Sequence, residues 1–300
     1  MTWEETRDFL SPFFPEQVQR ELELMQPGEL REIRIRADRP TVMRTATRVA
    51  SLDWQPDQHQ LEALAEALSG HSLYARTEET GQGYLTLQGG HRMGLCGRVV
   101  FTGDQPVLAD IGSLCIRIAA QWPGAADALI PLLHRNGRPA SALIIGVPGS
   151  GKTSLLRDIS RQLSGSGKAV QTAVIDERGE LAACVRGVPQ LDVGRSADVL
   201  DGMPKAQAVP WLIRAMSPQL IVTDELSGSE DAACVLDAMA CGAAVCASVH
   251  GGSLKEVAAR PALAALMARR AFDCYAVLAE EGGGQIDAVY DRNGSPVEST

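Results

Sequence analysis

The sequence predicts an α/β fold: a mostly parallel, doubly wound sheet preceded by a smaller α+β domain. From about residue 140 onward, short apolar runs alternate with helical patterns, which is typical of parallel strands joined by crossover helices. Before residue 120 the strands are short, alternate with period two and meet at glycine turns, which favours an antiparallel sheet. Trp122-Pro123-Gly124 separates the two patterns. We therefore expect domains at residues 1–122 and 123–300.

Composition indicates a globular protein. The 300 residues are 45% apolar and 22% charged, and the net charge of −9 disfavours a protein that binds nucleic acid over its whole surface. No run approaches the roughly 20 apolar residues of a spanning helix, and the first residues lack a signal peptide pattern. The seven cysteines contain no C-x-x-C pair, so we expect buried, reduced thiols in a cytosolic protein.

A glycine-rich loop stands at the start of the predicted parallel sheet. Residues 146–153 read GVPGSGKT and fit the phosphate-binding pattern G-x-x-x-x-G-K-[ST]. The apolar run Ser141–Ile145 before the loop predicts a buried strand, and Leu155, Leu156, Ile159 and Leu163 after it have helical spacing. Strand, loop and helix are the context in which this motif binds a nucleoside triphosphate.

The loop suits phosphate because glycines let successive backbone N–H groups converge on an anion at a helix N-terminus. Lys152 is expected to reach the β- and γ-phosphates, and the Thr153 hydroxyl to hold Mg²⁺. ATP and Mg²⁺ are therefore the expected cofactors. The predicted cofactor-binding residues are Gly146, Val147, Pro148, Gly149, Ser150, Gly151, Lys152, Thr153 and Ser154.

A second apolar strand, Leu220–Glu225, ends in two carboxylates. Asp224 is expected to hold Mg²⁺ through its water shell, and Glu225 to orient and activate the attacking water. This pairing is the Walker B pattern.

The strand at residues 169–175 ends in Asp176, Glu177 and Arg178, where ligands bind in open α/β sheets. Glu177 is a catalytic candidate that polarises the water or tunes Mg²⁺; the alternative is surface charge at a strand end.

On the strand at residues 243–251, Ser248 and His250 alternate and can face the γ-phosphate together. His250 is then a sensor of the terminal phosphate, or the end of a capped strand.

Phosphoryl transfer also requires cations, often from a neighbouring subunit. Arg178 and Arg195 are the candidates that we assign to catalysis, and Arg214 is another candidate.

In the first domain the strand Leu30–Arg36 carries Arg34 and Arg36 on a basic face. This face is either solvated or contacts nucleotide or another subunit.

Three further segments of the sequence carry expectations of their own. His91 lies in the turn of a predicted hairpin and is expected to be a structural, hydrogen-bonding residue. No chemistry is assigned to the polar loop Asp198–Lys205. A helix is expected over Ala125–His134.

These motifs resemble, in the same order along the chain, four motifs of secretion-type traffic ATPases. Gly146–Thr153 resembles their Walker A motif and Asp176–Arg178 their Asp box. Leu220–Glu225 resembles their Walker B motif and Ser248–His250 their His box. The chain resembles more closely the stage III sporulation protein AA family, in Glu32–Arg36 with Arg39-Pro40, in Gly89–Arg98 and in Val199–Ala206. The resemblance covers nearly the whole chain. One departure is Leu226-Ser227 after Glu225, where the family pattern has isoleucine and glycine.

The resemblance implies a RecA-like P-loop ATPase domain and a homohexamer. It further implies a cytoplasmic protein on the mother-cell side of a forming endospore. There it would dock on membrane-embedded channel proteins without spanning the membrane, and it would power that channel by ATP hydrolysis. Two alternatives stay open: an ATPase that remodels nucleic acid, which few aromatic residues and the acidic charge disfavour, and a non-hydrolysing ATP-binding scaffold.

Overall fold

The computed structural model describes residues 1–71, 73, 80–81, 83–103, 105–135, 137–165, 170–280 and 283–297. The chain forms two compact units, Met1–Ala120 and Gln121–Thr300. The division lies beside the tripeptide Trp122–Gly124. Each unit has a sheet of its own.

The first unit combines short helices with an antiparallel sheet. Its helices are α1 (Trp3–Leu10), α2 (Glu16–Leu24) and α3 (Gln58–Leu68). Its strands are β1 (Leu30–Arg36), β2 (Arg39–Thr45), β3 (Val49–Leu52), β4 (Tyr84–Thr86), β5 (Arg92–Thr102) and β6 (Gln105–Arg117). Within the described residues these six strands pair in the order β3-β2-β1-β6-β5-β4, every pair antiparallel as the sequence predicts.

Local sequence explains where these helices begin. Thr2 caps α1, because its hydroxyl accepts from the Glu5 N–H while the Glu5 carboxylate accepts from the Thr2 N–H. Asp57 and Gln60 form the same reciprocal cap on α3. The apolar sides of all three helices and of the sheet share one core, which includes Ile33.

The second unit is built around a larger sheet. Its strands are β7 (His134–Arg135), β8 (Arg138–Pro139), β9 (Ala142–Gly146), β10 (Thr172–Asp176), β11 (Ala197–Asp201), β12 (Leu220–Glu225), β13 (Ala244–His250), β14 (Cys274–Leu278) and β15 (Ile286–Asp291). Its helices are α4 (Ile130–Leu133), α5 (Lys152–Gly165), α6 (Lys205–Met216), α7 (Ser229–Ala240), α8 (Leu254–Ala258) and α9 (Pro261–Ala268). Among the described residues seven strands form one sheet in the order β11-β10-β12-β13-β9-β14-β15.

This sheet is mostly parallel and is covered on both faces. Every neighbouring pair is parallel except β14 and β15, which form the terminal antiparallel hairpin. Leu143 and Ile145 on β9 belong to the core shared with α6, α7 and α9. Ala142 and Ile144 belong to the core shared with α5. Alternate residues of one strand therefore support helices on opposite faces, as expected for a crossover α/β sheet.

Three local expectations need correction or restriction. The helix predicted over Ala125–His134 is limited to Ile130–Leu133; the residues before it form turns, and two turn N–H groups, of Gly124 and Ala126, donate to the buried Asp158 carboxylate. All seven cysteines lie in described parts of the chain and none of them forms a disulfide, but Cys96 and Cys241 are exposed and Cys115 is half-buried, not buried as expected. Residue 169, the first residue of the strand predicted at residues 169–175, lies outside the described residues.

Among the helices that the structure describes, none has the length and apolar character needed to cross a bilayer.

Candidate active site

The parallel register brings the predicted motifs to one edge of the sheet. Strands β9, β10, β12 and β13 all end there, because parallel strands point the same way. His250 lies opposite Gly146 in the β13–β9 pair, and Glu225 lies opposite Ser248 in the β12–β13 pair. A bulge in β12 between Val222 and Glu225 accompanies this second pairing. The register therefore places His250 beside the glycine-rich loop and beside the Glu225 carboxylate.

A cavity of about 480 Å³ opens at this edge, within the size range of small-molecule sites. It is lined by the phosphate loop, both Walker B carboxylates and residues of neighbouring strand ends. The lining residues are Pro148, Gly149, Gly151, Lys152, Thr153, Ser154, Arg178, Glu180, Asp224, Glu225, Ser248 and His250.

The loop itself has the backbone that its glycines predict. Gly149 and Gly151 have φ of +81° and +100°, values that side chains rarely adopt. Gly151 also lies against the turn of the terminal hairpin: a Cβ on Gly151 would lie 2.5 Å from the Gly284 nitrogen. That nitrogen donates to the Ser150 carbonyl at 2.9 Å, so the hairpin turn supports the loop.

Lys152 is the first residue of α5 and is buried. Its ammonium donates to the carbonyl oxygens of Gly146 at 2.8 Å and Val147 at 2.9 Å, and lies 3.1 Å from Nδ1 of His250. Burial lowers the pKa of Lys152, and the charge of Glu225 opposes that shift.

His250 connects Lys152 to Glu225. Its Nε2 lies 3.0 Å from Oε2 of Glu225. Because the Lys152 ammonium can only donate, Nδ1 accepts, and the proton of a neutral ring then lies on Nε2 and is donated to the carboxylate. Arg178 lies 3.7 Å from the same Glu225 oxygen. The arrangement orients Glu225 and places a cation next to it.

The donor set at the cavity fits Mg²⁺ that arrives with a nucleotide. Thr153 and Asp224 both line the cavity, and Mg²⁺ commonly takes one or two protein oxygens, with phosphates and waters completing its shell. In the described part of the chain no group of three or more His, Cys, Asp or Glu side chains could hold a metal alone. Burial raises the pKa of Asp224, and hydrogen bonding to Lys205 opposes that shift.

Two residues of the predicted acidic cluster have contacts that the motif did not suggest. The Asp176 carboxylate is fully buried and accepts four backbone N–H groups, from Glu180 to Ala183. Arg157 fixes the same loop by donating to the carbonyl oxygens of Glu180 and Leu181. Asp176 therefore shapes the loop that follows β10.

Glu177 does not line the cavity, because its carboxylate binds Lys205 instead. Arg195 is exposed in the loop before β11 and is also absent from the lining. Arg214 is exposed in the last turn of α6. Of the predicted catalytic residues, the structure thus brings together Glu225, His250 and Arg178.

Sequence reasoning missed Lys205. Its ammonium pairs with Glu177 and lies 2.8 Å from Oδ1 of Asp224. Lys205 lies in Val199–Ala206, a stretch that resembles the family, but the resemblance does not reveal which carboxylates the lysine would reach.

Other predicted features are explained by contacts nearby. Leu226, at the departure from the family pattern, is buried, and its N–H donates to the Ser248 carbonyl at 2.8 Å. The turn after Glu225 thereby stays joined to β13. Glu32 on the basic strand β1 pairs with Arg34 of the same strand and with Arg44 of the neighbouring strand β2, which neutralises part of that face.

His91, the turn histidine of the first unit, has the structural role expected of it. The ring is almost fully buried, and its Nδ1 accepts from the Ala119 N–H at 3.1 Å. Phe9 stacks on the ring.

Solved structures of a pilus retraction motor and of the ATPase DotB share the fold. The pilus retraction motor PilT with bound ADP aligns with a TM-score of 0.61 and 15% identity, covering 87% of this chain and 76% of PilT. The DotB ATPase of Yersinia pseudotuberculosis aligns with a TM-score of 0.57 and 16% identity, covering 95% of this chain and 78% of DotB. At such identities the likeness concerns the fold alone.

Sequence comparison identifies the family. The stage III sporulation protein AA of Bacillus subtilis (strain 168) is 40% identical over 278 residues, covering 91% of this chain and 90% of that protein. The family model described as "Sporulation stage III, protein AA" matches residues 10–297. The chain belongs to the stage III sporulation protein AA family.

Proposed function

We propose that this chain is a Mg²⁺-dependent ATPase with a RecA-like P-loop domain, which hydrolyses ATP to ADP and phosphate. The observation that carries the proposal is the contact series from Lys152 through His250 to Glu225, at a cavity bordered by a phosphate loop. A scaffold that only binds nucleotide has no need of a carboxylate oriented in this way.

Each side chain has a role in the proposed reaction. Lys152 and the loop N–H groups would hold the nucleotide phosphates, and Thr153 and Asp224 would hold Mg²⁺. The metal, when bound, would neutralise charge on the transferred phosphoryl group. Glu225, oriented by His250, would position the attacking water and accept its proton, while Arg178 would supply positive charge beside it.

The assembly and the site of action are proposed from the family and the fold. Membership in a sporulation family, together with a fold shared with the pilus retraction motor PilT and the ATPase DotB, supports a homohexameric motor. The motor would be cytoplasmic, on the mother-cell side, and would drive a membrane-embedded channel between mother cell and forespore. The pairing of Arg34 and Arg44 with Glu32, and the charge of −9, make nucleic acid the less favoured partner.

Steady-state phosphate release, measured over a range of protein concentrations, tests the proposal. In Mg²⁺ we expect phosphate release per subunit to rise with protein concentration if assembly activates the site, and we expect EDTA to abolish the release.

Lys152→Ala should lose ATP binding, because the cation on the β- and γ-phosphates is removed. Lys255→Ala, which changes an exposed lysine on α8, should behave as wild type. ATP binding without Mg²⁺-dependent release at any concentration would favour the scaffold instead.

A further inference from the structure

Lys205 occupies an unusual position for a lysine. It is the first residue of α6 and only 4% of it is exposed to solvent. Its ammonium pairs with one oxygen of Glu177 and lies 2.8 Å from Oδ1 of Asp224, and its backbone N–H donates to the other oxygen of Glu177. Lys205 thus connects the end of β10 to the end of β12.

A lysine is unfavourable at this position unless its charge is compensated. Burying an ammonium is costly, and the N-terminus of a helix disfavours positive charge. Burial lowers the pKa of Lys205, but its hydrogen bonds to Asp224 and Glu177 outweigh that effect and the pKa is raised. The two carboxylates therefore compensate the buried charge.

The backbone before Lys205 is arranged to deliver its side chain. Gly202 has φ of +71°, and its N–H donates to the Asp176 carbonyl at 3.1 Å, which ties the loop to the end of β10. Pro204, the N-cap residue of α6, directly precedes Lys205. The lysine is consequently anchored on the β10 side through Glu177 and reaches across to Asp224.

We propose that Lys205 is a positioning residue: it holds Asp224 by Oδ1, so that Oδ2 is available to Mg²⁺ of the bound nucleotide. Glu177 is then the anchor of this lysine, and both of its oxygens are engaged by Lys205. The inference rests on the proposed function, because it assigns a role in the Mg²⁺ step of the same site.

The test compares ATP affinity in EDTA with ATP affinity in Mg²⁺, using a fluorescent ATP analogue and no turnover. The ratio of the two dissociation constants measures how much Mg²⁺ tightens binding. Lys205→Met should bind the analogue in EDTA within about threefold of wild type, since Lys152 and the loop are intact. Its Mg²⁺ ratio should fall about tenfold or more, the usual loss when the partner of a metal ligand is removed.

Two other variants separate positioning from a general structural effect. Lys205→Arg keeps the charge and should recover more of the Mg²⁺ ratio than Lys205→Met. Lys255→Met, at an exposed position on α8, should keep the wild-type ratio. A wild-type ratio in Lys205→Met, or an equal loss of affinity in EDTA and in Mg²⁺, would overturn the inference.

If Lys205→Met fails to fold, Lys205→Gln takes its place, because glutamine keeps a hydrogen-bond donor without the charge. A lowered Mg²⁺ ratio in Lys205→Gln would then support the positioning role, and a wild-type ratio would overturn it. Failure of the proposed function has a different signature. A wild-type protein that does not bind the analogue at all contradicts the ATPase itself. Normal binding with an unaltered ratio in the Lys205 variants contradicts the positioning role alone.

Discussion

The Lys152 ammonium lies 3.1 Å from Nδ1 of His250 and also donates to the carbonyl oxygens of Gly146 and Val147. An ammonium has three N–H donors, so these contacts use all of them. A phosphate that binds Lys152 must therefore replace at least one of these partners. Because His250 also contacts Glu225, replacing the histidine contact would change the surroundings of the carboxylate.

His250→Ala should therefore separate hydrolysis from binding. The variant removes the donor that orients Glu225 but leaves the phosphate loop and Lys152 in place. We expect phosphate release to fall about tenfold or more, and ATP affinity to stay within about threefold of wild type. His59→Ala, at an exposed position on α3, is the control. Equal losses of affinity and of release would show that His250 acts on binding only.

Gly151→Ala should damage the phosphate loop more than Gly149→Ala. Both glycines have positive φ, which costs about 1–2 kcal/mol for alanine. Only at Gly151 would the new Cβ also lie 2.5 Å from the Gly284 nitrogen, whereas nothing lies within 4 Å at Gly149. We expect Gly151→Ala to lower ATP affinity by a larger factor in a binding titration. The opposite ranking would contradict the packing of the hairpin turn on the loop.

Asp176→Asn should destabilise the second unit. The carboxylate accepts four N–H groups, two on each oxygen, and an asparagine would turn an NH₂ group toward two of them. Leaving buried donors unpaired costs on the order of 3 kcal/mol. Urea unfolding measures the loss, and Asp237→Asn, at an exposed position on α7, provides the matched control. A midpoint equal to that of wild type would mean that the loop does not depend on this carboxylate.

His91 predicts a dependence of stability on pH. Burial, with a contribution from the N-terminal ammonium, lowers the pKa of His91 from 6.5 to about 4. Between these values the unfolded chain binds a proton at His91 that the folded chain does not. The free energy of unfolding should thus fall as pH falls from 6.5 toward 4, by about 3 kcal/mol in total.

The measurement is the urea midpoint of wild type and His91→Gln across this window. Glutamine does not titrate and can still accept from the Ala119 N–H, so the difference between the two proteins isolates the histidine. His59→Gln controls for an exposed histidine. The same pH dependence in wild type and His91→Gln would contradict the assignment.

The motif positions could be predicted from the sequence because each is local. The phosphate loop, the carboxylates at the end of β12 and the polar end of β13 are short patterns with their own strand or helix context. That they meet follows from one rule, that parallel strands end at the same edge. His250 and Glu225 were accordingly predicted at one site, and their side chains are in contact.

The partners of the buried charges could not be predicted in this way. Asp176 and Glu177 are adjacent in sequence, yet one accepts the N–H groups of the following loop and the other binds Lys205. Which neighbour a charged side chain reaches depends on the strand order β11-β10-β12 and on the loop entering α6. The helix expected over Ala125–His134 differs for a similar reason, since Asp158 on α5 binds its turn N–H groups.

The central claim is that Glu225 activates water at an ATP site, and a single-turnover measurement on Glu225→Gln tests it most directly. ATP binding and phosphate release are followed together in Mg²⁺, with Glu23→Gln, exposed on α2, as the control of equal charge change. We expect Glu225→Gln to bind ATP as wild type does and to release phosphate at least about a hundredfold more slowly, with Glu23→Gln unaffected. Phosphate release by Glu225→Gln at the wild-type rate would contradict the account.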